Sequence, residues 1–177
     1  MGMEMIAGPH LCEAYAPPEH ARAVRQHLEG LLGLFPWIAM IDAFQHWLYT
    51  HAGGDGHTHA ERNAFWMSLL HRFGGIVDFS GYEHAYELAW QRQGHLWSVP
   101  FYYVEYGIAQ LGALQLWANS LKDPRAALAA YKHALSLGGS QPLPQLFAAA
   151  NLKFDFTTAT LAPLMALVQK KLAALPE

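Results

Sequence analysis

Groups able to donate, accept or carry protons crowd into the string H-L-W-S-V-P-F-Y-Y-V-E-Y-G-I-A-Q, from His95 to Gln110. It holds one imidazole (His95), three phenols (Tyr102, Tyr103 and Tyr106), one carboxylate (Glu105) and one amide (Gln110). Proline suits the first position of a helix, where its missing N–H is no loss, so Pro100 is expected to open one. On that helix Tyr103, Tyr106 and Gln110 fall at i, i+3 and i+7 and share one face. Ile108, Leu111, Leu114, Leu116 and Trp117 leave almost no wholly polar face, which places the helix inside the fold. Hydroxyls and a carboxylate on a buried helix must be satisfied or used. The pattern alone leaves both outcomes open: phenols bonded to nearby carbonyls in an aromatic core, or polar groups put to work.

Other residues invite chemical readings that their surroundings weaken. Asp42 and His46 stand at i, i+4 and could hydrogen-bond, either as an orienting pair for catalysis or metal binding or as a satisfied polar core pair. His57 and His59 form an H-x-H, but they straddle an expected helix start beside a glycine-rich turn, where no third ligand is evident. A solvated loop is the expectation there, and no metal ligand is assigned. The sequence contains no H-E-x-x-H, and Glu19-His20 and Glu83-His84 have neither partner nor spacing for a zinc site.

The elements that must position these residues follow from composition and periodicity. The 177 residues are 53% hydrophobic and 14% charged, against a usual charged share of about a quarter. That length suits a single helical domain over residues 1–177, and the low charge suggests that part of its surface is covered in the working molecule. A net charge of −3 with 11 Lys and Arg gives no footprint for nucleic acid. One cysteine, Cys12, excludes an internal disulfide framework and fits a reducing compartment, so a cytoplasmic location is expected. The longest apolar run, residues 31–41, is interrupted by Pro36 and too short to span a bilayer, so no membrane partner is expected.

No segment has a sustained period of two, and the expected fold is all-α, a multi-helix bundle. Residues 1–7 read as the end of a helix closed by Gly8-Pro9, with Met1, Met3, Met5 and Ile6 forming an apolar patch that could pair with a second copy. A helix from residue 19 should break or kink near Phe35, before a second over residues 37–49. Residues 51–56 read as a turn, and Thr58 with Glu61 predicts a capping box for a helix over residues 59–73. Asp78 or Ser80 should cap a helix over residues 82–93, and the central helix should run to about residue 121. Asp123 and Pro124 predict a helix over residues 125–137, residues 142–149 a short one, and Asp155 or Thr158 the start of the last. The stretch A-L-A-A-Y-K-H-A-L-S-L-G resembles half a tetratricopeptide repeat, but no second copy follows at that repeat's spacing.

The string V-P-F-Y-Y-V-E-Y-G-I-A-Q-L-G-A-L-Q-L-W resembles the last third of the oligoendopeptidase F and thimet oligopeptidase family of zinc metallopeptidases. The resemblance continues through I-D-A-F-Q-H-W (from Ile41), A-L-A-A-Y-K-H-A-L-S-L-G-G-S (from Ala127) and the final helix, and so covers nearly the whole chain. It implies the C-terminal part of a larger, mostly helical oligopeptidase whose H-E-x-x-H helix and glutamate ligand lie upstream of Met1. His95 and one or two of Tyr102, Tyr103 and Tyr106 would line the substrate cleft and donate to the scissile carbonyl oxygen. Tyr106 is the preferred oxyanion donor, with Tyr103 on the peptide backbone. The resemblance further implies an oligopeptide substrate, zinc in the full-length enzyme but none held by this chain, and the rest of the same protein as partner. The alternative is a metal-free helical peptide-binding or scaffold protein derived from such a fragment.

Overall fold

Threefold and fourfold apolar spacing becomes helix over most of the stretches that repeat it. The computed structural model describes residues 1–50 and 56–176, and among these there is no strand. In chain order the helices are α1 (Gly2–Ala7), α2 (Pro17–Thr50), α3 (His59–Phe73), α4 (Glu83–Glu87), α5 (His95–Ser98), α6 (Val104–Ser120), α7 (Pro124–Ser136), α8 (Leu143–Ala149) and α9 (Thr158–Ala173). Two 3₁₀ segments, Gly8–Glu13 and Ala89–Arg92, complete the series. The expectation of an all-α fold holds.

Several local expectations hold as well. Thr58 and Glu61 form the capping box at the start of α3: the Glu61 N–H donates to Thr58 Oγ1 at 3.2 Å and the Thr58 N–H to Glu61 Oε2 at 2.8 Å. Asp123 accepts from the Ala126 N–H at 3.0 Å and Pro124 opens α7. The turn expected over residues 51–56 lies outside the described residues except for Gly56.

Others need correction. Pro36 does not end a helix; it sits inside α2, which continues for 34 residues. A proline within a helix costs about 3 kcal/mol, chiefly through one lost N–H bond and a clash with the carbonyl four residues back. Burying a large apolar side chain returns about 1.5–3 kcal/mol, and Ile38, Met40, Ile41 and Phe44 beyond the proline are all buried. Packing therefore carries the helix through the proline. By length and composition α2 is long and apolar enough to cross a membrane, and Ile38, Met40, Ile41 and Phe44 on it are buried within the fold. The helix expected over residues 82–93 is instead the short α4 and a 3₁₀ turn, and Asp78, which spends its carboxylate on the N–H and hydroxyl of Ser80 at 2.9 and 2.6 Å, does not cap it. The N-terminal methionines are only partly an open patch: Met5 is buried, while Met3 remains exposed.

The chain packs as two units, Met1–Leu32 with Ile108–Glu177, and Gly33–Gly107. The first is centred on Leu111, Leu114, Leu116 and Val168, all essentially without exposure. Gly112 admits Phe147 so closely that a Cβ there would meet its ring at 3.1 Å. Gln115 and Lys153 exchange hydrogen bonds, amide to carbonyl and N–H to Oε1, both at 2.8 Å.

The second unit is an aromatic core of Phe44, Trp66 and Trp90 with Met40, Ile41, Leu69, Leu70 and Leu96. Phe44 meets Trp66 edge-on, their ring centres 5.2 Å apart. The polar ends of these rings are all satisfied. Trp66 Nε1–H donates to the Tyr86 carbonyl at 2.9 Å, and Trp90 Nε1–H to Asn63 Oδ1 at 2.8 Å. Asn63 in turn donates to Glu87 at 2.9 Å. This unit carries the candidate site.

Asp155 ties down the start of α9. The Thr160 hydroxyl donates to it, as do the Thr157 N–H and hydroxyl, and these donors hold its carboxyl below the usual carboxylate range. A depressed folded value means stability that is present above the unfolded value of about 3.9 and lost as pH falls through the folded one. Asp155→Asn should therefore lower the thermal midpoint at pH 7 and flatten its decline in acid, as calorimetry from pH 7 to pH 2 would read.

Candidate functional site

The stretch from His95 to Tyr106 is assembled by short-range turns. Its local order is not that of one helix. Gly94 accepts from Trp97 and Ser98 N–H groups at 3.1 Å, closing the single turn α5 that begins at His95. The Tyr102 N–H then reaches back to the Val99 carbonyl at 3.2 Å. α6 starts only at Val104, so Pro100 does not open it. Pro100, Phe101, Tyr102 and Tyr103 form the turn between the two helices, and Phe101 takes φ of 60°, the left-handed region that side chains avoid.

That turn changes which residues meet. Tyr103 precedes α6, Tyr106 lies on its first turn, and the two rings approach to 5.2 Å between centres. His95 is ringed by all three tyrosines: Tyr102 lies nearly parallel at 6.2 Å and 10°, Tyr103 edge-on at 5.1 Å, and Tyr106 edge-on at 5.6 Å. His95 Nε2 and the Tyr106 hydroxyl are 3.1 Å apart. Trp37 Nε1–H, from α2, donates to the Tyr103 hydroxyl at 2.9 Å. Tyr102 is the outermost phenol, 48% exposed, while His95, Tyr103 and Tyr106 are half-buried.

The remaining sequence candidates separate from this cluster. Glu105 is exposed at the start of α6 and has no part in the ring contacts. Gln110 is buried in the other packing unit, where its amide reaches Met5 Sδ at 3.9 Å, so the expected shared face of Tyr103, Tyr106 and Gln110 does not form one site. Asp42 and His46 are not a core pair: His46 is 58% exposed and its Nε2 stands 3.6 Å from Asp42, beyond a hydrogen bond. Asp42 accepts instead from Gln45 Nε2 at 3.0 Å. His57 is not in a solvated loop, for its ring stacks on Trp47 at 3.6 Å, whereas His59 is exposed and pairs with the Gln91 amide at 2.8 Å. Among the described residues no three of His, Cys, Asp and Glu converge as a metal ion would require.

Three residues that matter here escaped sequence reasoning. Trp37 and Gln45 lie on α2, 66 and 56 positions from Tyr103 and Phe101, the residues they bond, and nothing local marks them. Phe101 sits beside Pro100, which signals a turn as readily as a helix start. Tyr49 also supports the stretch. Its hydroxyl donates to the Leu96 carbonyl, and burial pushes its phenol above the ordinary value.

What the arrangement offers is a set of neutral hydroxyl donors. The Tyr103 oxygen already accepts from an indole N–H, so its own proton is directed elsewhere, and among the described residues no acceptor takes it. Tyr106 has the same property when His95 carries its proton on Nε2.

Comparison with known proteins supplies the class. The description "Peptidase family M3" matches residues 2–165, and the chain belongs to that family. A solved protein provisionally named oligoendopeptidase F is 29% identical, with a TM-score of 0.81 over 89% of this chain. PZ peptidase A, solved with an inhibitor, is 27% identical with a TM-score of 0.86 over 98% of it. A Bacillus anthracis str. Ames protein with the same provisional name, 22% identical at a TM-score of 0.75, shares the fold. The chain spans 27% to 30% of the length of these proteins. No curated protein matches the sequence.

Tyr106→Phe should remove the oxygen beside His95 Nε2 while keeping the ring contacts. The expected stability change is within about 1.5 kcal/mol, the net worth of one hydrogen bond, with a clear change in the His95 ring-nitrogen shift by ¹⁵N NMR. An unmoved shift would mean the bond is not formed in solution.

Proposed function

We propose that this chain is the C-terminal portion of a zinc-dependent oligopeptide endopeptidase, supplying substrate-cleft walls and the hydroxyl donors that stabilise the transition state. The observation that carries the reading is the pair of oriented phenols, Tyr106 against His95 at 3.1 Å and Tyr103 under Trp37 at 2.9 Å. Family membership gives the chemistry in which such donors are needed.

Amide hydrolysis places negative charge on the former carbonyl oxygen, and donors fixed before the reaction stabilise that charge without reorganising. A phenol is neutral at pH 7 and limited to two side-chain torsions, so it donates without carrying a competing charge. His95 Nε2–H donating to the Tyr106 oxygen would turn the Tyr106 proton outward and strengthen it as a donor through cooperativity. Tyr106 is thus assigned to the oxyanion and Tyr103, oriented by Trp37, to the peptide backbone. The more exposed Tyr102 contributes cleft wall beside His95.

The described residues do not fit a zinc ion, since no ligand set converges among them. No step of the reaction is therefore assigned to a metal held by this chain. Its residues bind, orient and donate, and the isolated chain is expected to leave peptides uncleaved.

In an enzyme containing this chain and the upstream segment, Tyr106→Phe should lower kcat by about two to three orders of magnitude, as for other oxyanion donors, with KM nearly unchanged. Steady-state kinetics on a quenched fluorescent oligopeptide reads this directly. Full turnover by Tyr106→Phe, with activity abolished in Tyr103→Phe, would exchange the two roles.

A further inference from the structure

Gln45 is a polar side chain with no exposure at all. Both ends of its amide are used. Nε2 donates to Asp42 Oδ1 at 3.0 Å, which fixes which way the amide faces, and Oε1 accepts the backbone N–H of Phe101 at 3.2 Å. Phe101 is the residue with φ of 60°, immediately before Tyr102 and Tyr103. A bulky side chain holds that conformation only where its surroundings enforce it. The ring contacts of Phe101 with His46 at 4.9 Å and Tyr49 at 5.3 Å are to half-exposed or partly buried rings, and the ring itself is 43% exposed. Locally the Tyr102 N–H closes a turn onto the Val99 carbonyl at 3.2 Å, and the bond to the fully buried Gln45 is the tertiary hydrogen bond on the Phe101 backbone among the described contacts.

We infer that Gln45 is a positioning residue: its buried amide clamps the Phe101 backbone in the left-handed conformation and so sets where Tyr102 and Tyr103 stand against His95 and Trp37. Relaxing Phe101 to an extended φ would re-aim the peptide plane leading into Tyr102, and the Tyr103 hydroxyl would leave the Trp37 indole. The left-handed conformation disfavours an L residue by a factor of roughly ten, which one hydrogen bond from a buried acceptor is of the size to offset. The importance of that placement for peptides rests on the function proposed above; the placement itself does not.

The test is a cycle of Gln45→Leu, Phe101→Gly and the double variant on the full chain. The readouts are the Trp37 indole ¹H–¹⁵N signal, assigned through Trp37→Phe, and the His95 ring nitrogens. Leucine keeps the volume and the helix but offers no acceptor, so Gln45→Leu should shift both sets of signals while far-ultraviolet circular dichroism stays unchanged. Glycine adopts positive φ freely, so adding Phe101→Gly should return the signals at least half-way, a rescue that a merely structural role for Gln45 would not produce. Should Gln45→Leu lose helix content, the double variant decides: signals near the native positions support the clamp and displaced ones overturn it. Unmoved signals in folded Gln45→Leu overturn it outright. Binding of a fluorescein-labelled oligoalanine peptide is read in parallel. Moved signals with unchanged peptide affinity support the clamp and count against the cluster as a peptide-facing surface.

Discussion

One backbone amide ties the tyrosine turn to the body of its unit. Phe101 N–H meets the fully buried Gln45, and from that point Tyr102, Tyr103 and Tyr106 take positions around His95. The turn is otherwise a run of large, partly exposed side chains, with Trp97, Val99, Phe101 and Tyr102 all open to solvent. Apolar contact is non-directional and cannot by itself fix where a hydroxyl points. Directional bonds do that here: Gln45 to Phe101, Trp37 to Tyr103, Tyr49 to Leu96. Each begins on α2, so the long helix is the frame and the turn is what it holds.

This dependence makes the unbroken course of α2 through its proline matter to the turn. A break at Pro36 would free Trp37 from the helix that carries Gln45 and Tyr49, and the three anchors would lose their common register. In the structure the helix runs through, and the division between the two packing units falls at Leu32 and Gly33, close to the carbonyl that Pro36 leaves without its helical donor.

What could be read from the sequence were the features set by near neighbours. The capping box at Thr58 and Glu61, the Asp123-Pro124 start of α7 and the buried face of α6 are each encoded within a few positions. His95 and the three tyrosines were identifiable by type and by resemblance. Their mutual geometry was not, because Pro100 is compatible with a helix start and with a turn; the turn is closed locally by the Tyr102 N–H on the Val99 carbonyl and met from more than fifty positions away by Gln45. The Asp42–His46 pair illustrates the same limit. Spacing brought the two within reach, but Gln45 took the carboxylate and left His46 at the surface. Helical spacing states which residues are neighbours on one element, and tertiary partners decide which of them bond.

We propose that these residues provide donors to a metallopeptidase site and no metal ligands. Zinc content and cleavage of a quenched fluorescent oligopeptide, measured together on this chain and on one extended upstream, test it most directly. One bound zinc and cleavage are expected for the extended chain, and neither for the shorter one. Stoichiometric zinc and cleavage by the shorter chain would contradict it, because a ligand set among its own histidines would then be doing the chemistry assigned elsewhere.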